Sequence, residues 1–265
     1  MRRVQLFEFG DLAWFPKSWR QFTTDLLQFY GAKFNPYGPM VPKLKQALEK
    51  MNCHRLVDLC SGGSGPFLRL LDQFENQEHY PVEVTLTDKF PDLEAFRQAQ
   101  AACPGKIRFI ASPVDAMEVP EHLRGFRTLF ASFHHFGPAE AKKILQDAVK
   151  KNEGIGIFEF TDRSFWLYLV MLTSPIFVWM VTPWLRPFRW PRMFWTYVLP
   201  VLPLLNLWEG MVSNLRTYSP AELKELVEQI AGAGYQWEIG KLRSLGGYRI
   251  TYLLGYPGEA PAGKV

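Results

Sequence analysis

Residues 56–65 read Leu-Val-Asp-Leu-Cys-Ser-Gly-Gly-Ser-Gly, a short apolar strand that ends at a carboxylate and enters a turn of small residues. Pro66 follows, and proline suits the first position of a helix because its missing N–H leaves no bond unmade there. Strand, glycine turn and helix start together make a cradle for a nucleotide-like ligand: small residues let the backbone come close, and a helix N-terminus offers unpaired N–H groups. Two common phosphate cradles are excluded. The frame from Gly63 gives Gly63, Gly65 and then Leu68, so G-x-G-x-x-G lacks its third glycine, and no G-x-x-x-x-G-K-[ST] occurs here.

The remaining pattern is an acid at a strand end followed by a small-residue turn. It resembles the first motif of the class I S-adenosylmethionine-dependent methyltransferases, written D-x-G-x-G-x-G. Its positions here are Asp58, Cys60, Gly62 and Ser64, so two glycines are replaced. The resemblance continues along the chain. Val82 to Thr87 alternates as a strand and ends at Asp88, where the family places an acid that accepts hydrogen bonds from ribose hydroxyls. Lys106 to Ile110 leads to Ser112-Pro113-Val114-Asp115-Ala116, where an acid resembles the family's adenine contact. Thr128 to Phe133 ends at His134-His135-Phe136, where the fourth strand of the family reaches the methyl group. The resemblance implies S-adenosyl-L-methionine as cofactor, held by Tyr37, Asp58, Cys60, Ser61, Gly62, Gly63, Asp88, Lys89, Asp115, Ala116 and Ser132.

From Arg55 onward, strands near 55–59, 82–87, 106–110, 127–133 and 154–160 alternate with helices near 66–76, 91–102 and 138–150. Such alternation implies a parallel sheet with right-handed crossovers. Ser219-Pro220-Ala221-Glu222 is a capped helix start; the helix is expected to run to about Ala231 and to stop at Gly232 and Gly234. Stretches 235–240 and 247–255 then pair as the last two strands. The expected fold is α/β: a seven-stranded, mostly parallel Rossmann-like sheet with helices on both faces and, as the resemblance implies, one antiparallel strand. Ligands of such sheets sit at the carboxyl ends of the strands.

The organisation reads as an N-terminal helical arm at 1–53, a cofactor-binding core at 54–163, an apolar insert at 164–210, a closing helix and two strands at 211–256, and a tail at 257–265. In the arm, Trp19, Phe22, Leu26 and Phe29 recur at helical spacing, Asn35-Pro36-Tyr37-Gly38-Pro39 breaks the pattern, and a second helix spans about Pro42 to Met51. The arm can fold over a cofactor site or simply pack against the sheet. In the insert, Phe165 to Leu185 contains no charged residue, Arg186, Arg189 and Arg192 follow among Pro and Trp, and Met193 to Trp208 is again uncharged. The first stretch is long enough to span a bilayer, which takes about 20 apolar residues. A single crossing would separate the last two strands from their sheet, so the chain must return. An interfacial arrangement, with aromatic side chains at headgroup level and arginines near phosphates, is preferred over a crossing hairpin. A hydrophobic lid over a substrate pocket, or a dimer interface, is the competing expectation.

A net charge of +4 without a basic stripe argues against nucleic acid as a partner. Three cysteines, Cys53, Cys60 and Cys103, have no metal-ligand spacing, so no metal is expected. No secretory pattern follows Met1-Arg2-Arg3, and the expected location is cytoplasmic, at the inner face of a membrane if the insert is interfacial. The expected reaction is methyl transfer to a small hydrophobic acceptor. His135 is the first candidate for a base, His134 the second, and Glu159, whose apolar flanks favour a raised pKa, the third. Two other classes stay open: a nicotinamide-dependent reductase, disfavoured by the missing glycine and by the lack of a Tyr-x-x-x-Lys pair, and a non-catalytic membrane-associated scaffold.

Overall fold

The computed structural model describes residues 2–12, 14–63, 65–230, 234–244 and 248–258. Ser64, Ala231, Gly232 and the tail beyond residue 258 lie outside the described residues. Seven strands form one sheet: β1 (Arg55–Asp58), β2 (Glu83–Leu86), β3 (Ile107–Phe109), β4 (Phe126–Phe130), β5 (Ile155–Glu159), β6 (Tyr235–Arg243) and β7 (Arg249–Pro257). Their order is β3-β2-β1-β4-β5-β7-β6, with β7 antiparallel to both of its neighbours and the first five strands parallel. This is the arrangement expected from the sequence, one antiparallel strand included. The reversal of order between β1 and β4 opens a crevice at their carboxyl ends.

Side chains alternate across the sheet because successive strand residues point to opposite faces. Leu56, Val84, Leu86, Phe126 and Phe158 pack under α2 (Val41–Lys50), α3 (Phe67–Asn76) and α4 (Leu93–Ala102). Val57, Leu129, Ile155 and Ile157 face α5 (Pro138–Lys150) and α9 (Pro220–Glu228) on the other side. The helix α5 buries Ala141, Ile144, Leu145 and Ala148, a stripe at helical spacing. At the start of α9, Ser219 and Glu222 form a capping box, satisfying two N–H groups that the first turn leaves open.

The arm helix α1 (Lys17–Phe34) does not lie on the sheet. Phe22 and Leu26 pack against Val178, Val181, Leu185, Leu202 and Leu205 of the insert. The insert itself comprises α6 (Phe165–Val181), a four-residue α7 (Trp190–Met193) and α8 (Val201–Arg216). Pro200 and Pro203 do not break the second arm, because they sit at the cap and first turn of α8, where no N–H is needed. Helix α8 runs unbroken through the boundary at 210 and packs on the loop after β4.

Two expected boundaries shift. Strand β4 ends at Phe130 rather than Phe133, because Ala131 adopts a left-handed φ of 46° and residues Phe133–His135 form a short 3₁₀ turn. The two histidines therefore leave the sheet instead of extending it. Helix α9 ends at Glu228, short of Ala231.

Gly125, which enters β4, has a φ of +142°, and a Cβ there would stand 2.7 Å from the backbone oxygen of Arg55. Gly125→Ala is expected to cost about 2–3 kcal/mol, read as a lowered urea midpoint at unchanged slope.

Candidate active site

The carboxyl end of β1 gathers three strands. Asp58 is buried; its Oδ1 accepts the Thr128 hydroxyl of β4 at 2.7 Å, and its carbonyl accepts the hydroxyls of Ser61 at 3.0 Å and Thr87 at 2.8 Å. Burial pushes the Asp58 carboxyl up to about 7, against the bonds from Ser61 and Thr128, which hold it down. Asp88 closes the other side of the turn: Oδ2 accepts the Gly62 N–H at 2.8 Å and Oδ1 the Phe90 N–H at 2.8 Å. The two acids thus flank one loop, and each Asp88 oxygen keeps acceptor capacity for a further donor. Asp115 lies beyond β3, where it accepts Met117 N–H at 2.9 Å and pairs with Lys89 at 3.0 Å.

The remaining loop candidates divide by role. The Ser61 hydroxyl donates to the Asp58 carbonyl and accepts Thr87 N–H at 3.2 Å, so it braces the turn. Cys60 sits at a left-handed φ of 57°, and burial beside acids pushes its thiol well up, which removes thiolate chemistry. Ala116 is packed into the core beneath α5. Gly63 is covered by α1: a Cβ there would fall 1.9 Å from the Gln28 amide nitrogen and 2.8 Å from Thr24. The arm therefore folds over the glycine turn.

Tyr37 and Ser132 supply polar atoms without partners. The Tyr37 ring is wedged edge-on between Phe130 (centroids 4.9 Å apart) and Phe160 (5.9 Å), at the ends of β4 and β5. Its hydroxyl is buried and makes no hydrogen bond among the described residues, and burial, with Glu159, Tyr30 and Asp58 nearby, pushes it well above its ordinary pKa. The Ser132 hydroxyl, just after β4, is likewise buried and unpartnered. Buried polar atoms are normally hydrogen-bonded, so these two are free to meet a ligand.

The histidines belong to a network that the sequence did not announce. Glu159 grips His134 at two points: Oε1 accepts its backbone N–H at 3.1 Å, and Oε2 lies 2.9 Å from ring Nδ1. Burial alone would raise the Glu159 carboxyl, but His134 outweighs it and the net shift is downward, opposite to the expectation from its apolar flanks. The other side is a strap formed by residues 3–11. Asp11 bonds His135 Nδ1 at 2.7 Å, Glu8 lies 3.4 Å from the same nitrogen and 3.8 Å from His134 Nε2, and Arg216 of α8 pairs with Asp11 at 2.7 Å and Glu8 at 3.3 Å. Arg216 also donates to the carbonyls of His134 (3.2 Å) and His135 (2.6 Å). Glu209 accepts Phe9 N–H at 2.7 Å; burial and Glu8 raise it to about 7.

Burial works to lower the His135 imidazole, but Glu8 and Asp11 outweigh it and hold it at about 9. His135 is thus an imidazolium near neutrality and ties the strap down; a ring already protonated is no base. The proton-accepting geometry belongs to the His134–Glu159 pair instead. Ligand atoms of Glu8, His134 and His135 lie within 4.8 Å of one another, a spacing a divalent cation spans, but the Arg216 guanidinium already supplies positive charge there.

Two cavities lie away from this edge. One of about 610 Å³ opens at the amino ends of β1, β2 and β3, lined by His54, Glu83 and Lys106. The other, about 260 Å³, lies between α1 and the insert.

No protein-family model matches this chain, and no curated protein matches it. Among solved structures, it is similar to LepI in complex with SAM (18% identity, TM-score 0.47), covering 80% of this chain and 46% of that one. It is also similar to human N-acetylserotonin methyltransferase in complex with SAM (16% identity, TM-score 0.49, covering 91% and 56%) and to the pyocyanin biosynthetic protein PhzM (14%, 0.49, 83% and 54%). The chain thus spans about half the length of these proteins, 46% to 56%. Likeness at this level says nothing of activity.

The His135 pair gives a pH signature. Its pKa is raised from 6.5 to about 9, so the stabilisation is full below 6.5 and is lost as pH rises through 9. His135→Gln is expected to lower stability by about 1–2 kcal/mol at about pH 6, discounted for partial exposure, and by almost nothing near about pH 10. Urea unfolding of both proteins across that range checks it.

Proposed function

We propose that this chain transfers a methyl group from S-adenosylmethionine to a small lipophilic acceptor. The observation that carries the reading is the joint hold of Asp58 and Asp88 on one glycine turn, at the point where the strand order reverses. The residues fit such a donor. A sulfonium is a cation, and the site offers it Asp58, whose buried carboxyl is disfavoured as an anion until a positive charge comes near. The unpartnered hydroxyls of Tyr37 and Ser132 are available to the ligand's polar groups. Asp88 would accept the ribose hydroxyls, Asp115 the adenine amino group, and the turn at Gly62 and Gly63 would pass close beneath. When bound, the donor supplies an electrophilic methyl carbon and its own leaving group.

The protein's part is alignment, exclusion of water and custody of one proton. Helix α1, through Thr24 and Gln28, covers the glycine turn. With Glu159 accepting from Nδ1, the His134 ring presents Nε2 as the proton acceptor for a hydroxyl, carbon or nitrogen acceptor. That nitrogen faces Glu8 of the strap at 3.8 Å, so an acceptor reaches it only as the strap yields. A lipophilic acceptor would suit the aromatic rings of Phe130, Phe160 and Tyr37, which pack together at the ends of β4 and β5.

Calorimetric titration with S-adenosylmethionine and with NADPH separates this reading from the reductase: the first is expected to bind and the second not. A hydrogen bond to a charged group contributes roughly 1.5–3 kcal/mol, so Asp88→Ala is expected to weaken donor binding by at least about 10-fold. His134→Gln is expected to lower single-turnover transfer by about 10²–10⁴ while leaving donor affinity within about twofold. An unchanged rate in that variant removes the base.

A further inference from the structure

Helix α6 is apolar on every side but buried on one only. The segment Phe165–Trp184 is 20 residues long, and 28% of its most apolar window is buried. A helix apolar all round is at home inside protein or in lipid, not against water. Its inner face is accounted for: Leu167, Ser174, Val178 and Val181 are buried, and Met171 packs so closely on Gly210 of α8 that a Cβ there would stand 2.5 Å from its sulfur. Its outer face is not. Phe165, Leu169, Leu172, Ile176 and Trp179 follow one another at helical spacing and are 40–78% exposed. At the end of the helix, Trp184 and Trp190 are 69% and 76% exposed. Contiguous apolar surface of this kind marks an interaction site.

Charge and orphaned donors say what covers it. From Ser164 to Trp208 the charged residues are Arg186, Arg189 and Arg192, all positive. Arg192 pairs with Asp25 at 2.7 Å, Arg189 Nε lies 3.9 Å from the same carboxylate, and Arg186, which is exposed, makes no ion pair among the described residues. The Nε–H groups of Arg189 and Arg192 are buried without hydrogen-bond acceptors among the described residues, and both side chains line the 260 Å³ cavity together with Asp25, Trp19 and Trp195. An anionic lipid surface meets all three features at once: hydrocarbon for the apolar stripe, an interfacial layer for the indoles, phosphate for Arg186. The helix lies along that surface rather than across it, because α8, on which it rests, is tied to the core through Arg216 and Ser213.

We propose that the outer face of α6 and the turn at 186–192 form a docking surface for an anionic phospholipid membrane, with the exposed, unpaired Arg186 meeting a headgroup phosphate. This holds whether or not the chain transfers methyl groups, and it is tested with no methyl donor present. The purified full chain is floated with phosphatidylcholine vesicles with and without phosphatidylglycerol. Wild type is expected to float with the anionic vesicles, more weakly at high salt, and its tryptophan emission to shift blue and to be quenched by brominated acyl chains. Leu172→Glu with Ile176→Glu is expected to reduce vesicle binding at least tenfold, and Arg186→Glu to reduce the preference for anionic vesicles. Circular dichroism confirms that the variants fold; should the double variant not fold, quenching of wild type by brominated lipid decides alone. Wild type left in the lipid-free fractions, unquenched indoles, or a dimer that the double variant dissolves would each overturn the proposal.

Discussion

One buried carboxylate organises the working end of the sheet. Asp58 stands where β1, β2 and β4 end, and its side chain and carbonyl together collect the hydroxyls of Thr128, Ser61 and Thr87. A charge taken out of water is costly unless it is paired, and here the Thr128 hydroxyl softens that cost. The result is a group poised between its neutral and ionised forms. The glycine turn and the phenol of Tyr37 lie around it.

The parts legible in the sequence are those written locally. The alternation at 55–58, 83–86 and 155–159, the turn after Asp58 and the cap at Ser219 each need only their immediate neighbours, and each is where it was expected. The break in the helical pattern at Tyr37 was legible too, from the Pro and Gly around it. The histidines were not. Their identity could be read, but their charge depends on Glu8 and Asp11, more than a hundred positions away. No periodicity links Arg216 to either acid. The end of β4 was misplaced for a smaller reason: a left-handed alanine at 131 turns the chain out of the sheet, and alanine carries no signal for that conformation.

The insert and the arm act as one layer. Phe22 and Leu26 from the arm and Val178, Leu185 and Leu202 from the insert share a single cluster, while Thr24 and Gln28 of the same helix lie over Gly63. One face of α1 therefore reads the insert and another covers the turn. A movement of the insert has a direct mechanical route to the glycine turn, through a helix that is packed on both.

The strap also sets an order of events. Asp11 and Arg216 are 205 positions apart, and Arg3 reaches both Phe136 and the end of α8. Loop closure over such spans is slow compared with forming a helix or a hairpin. During synthesis the segment at 3–11 must remain unattached until α8 has left the ribosome, exposing Phe7 and Phe9 in the meantime. Strands β6 and β7 follow α8 in the chain, so the partners of His135 emerge before the last two strands of the sheet do.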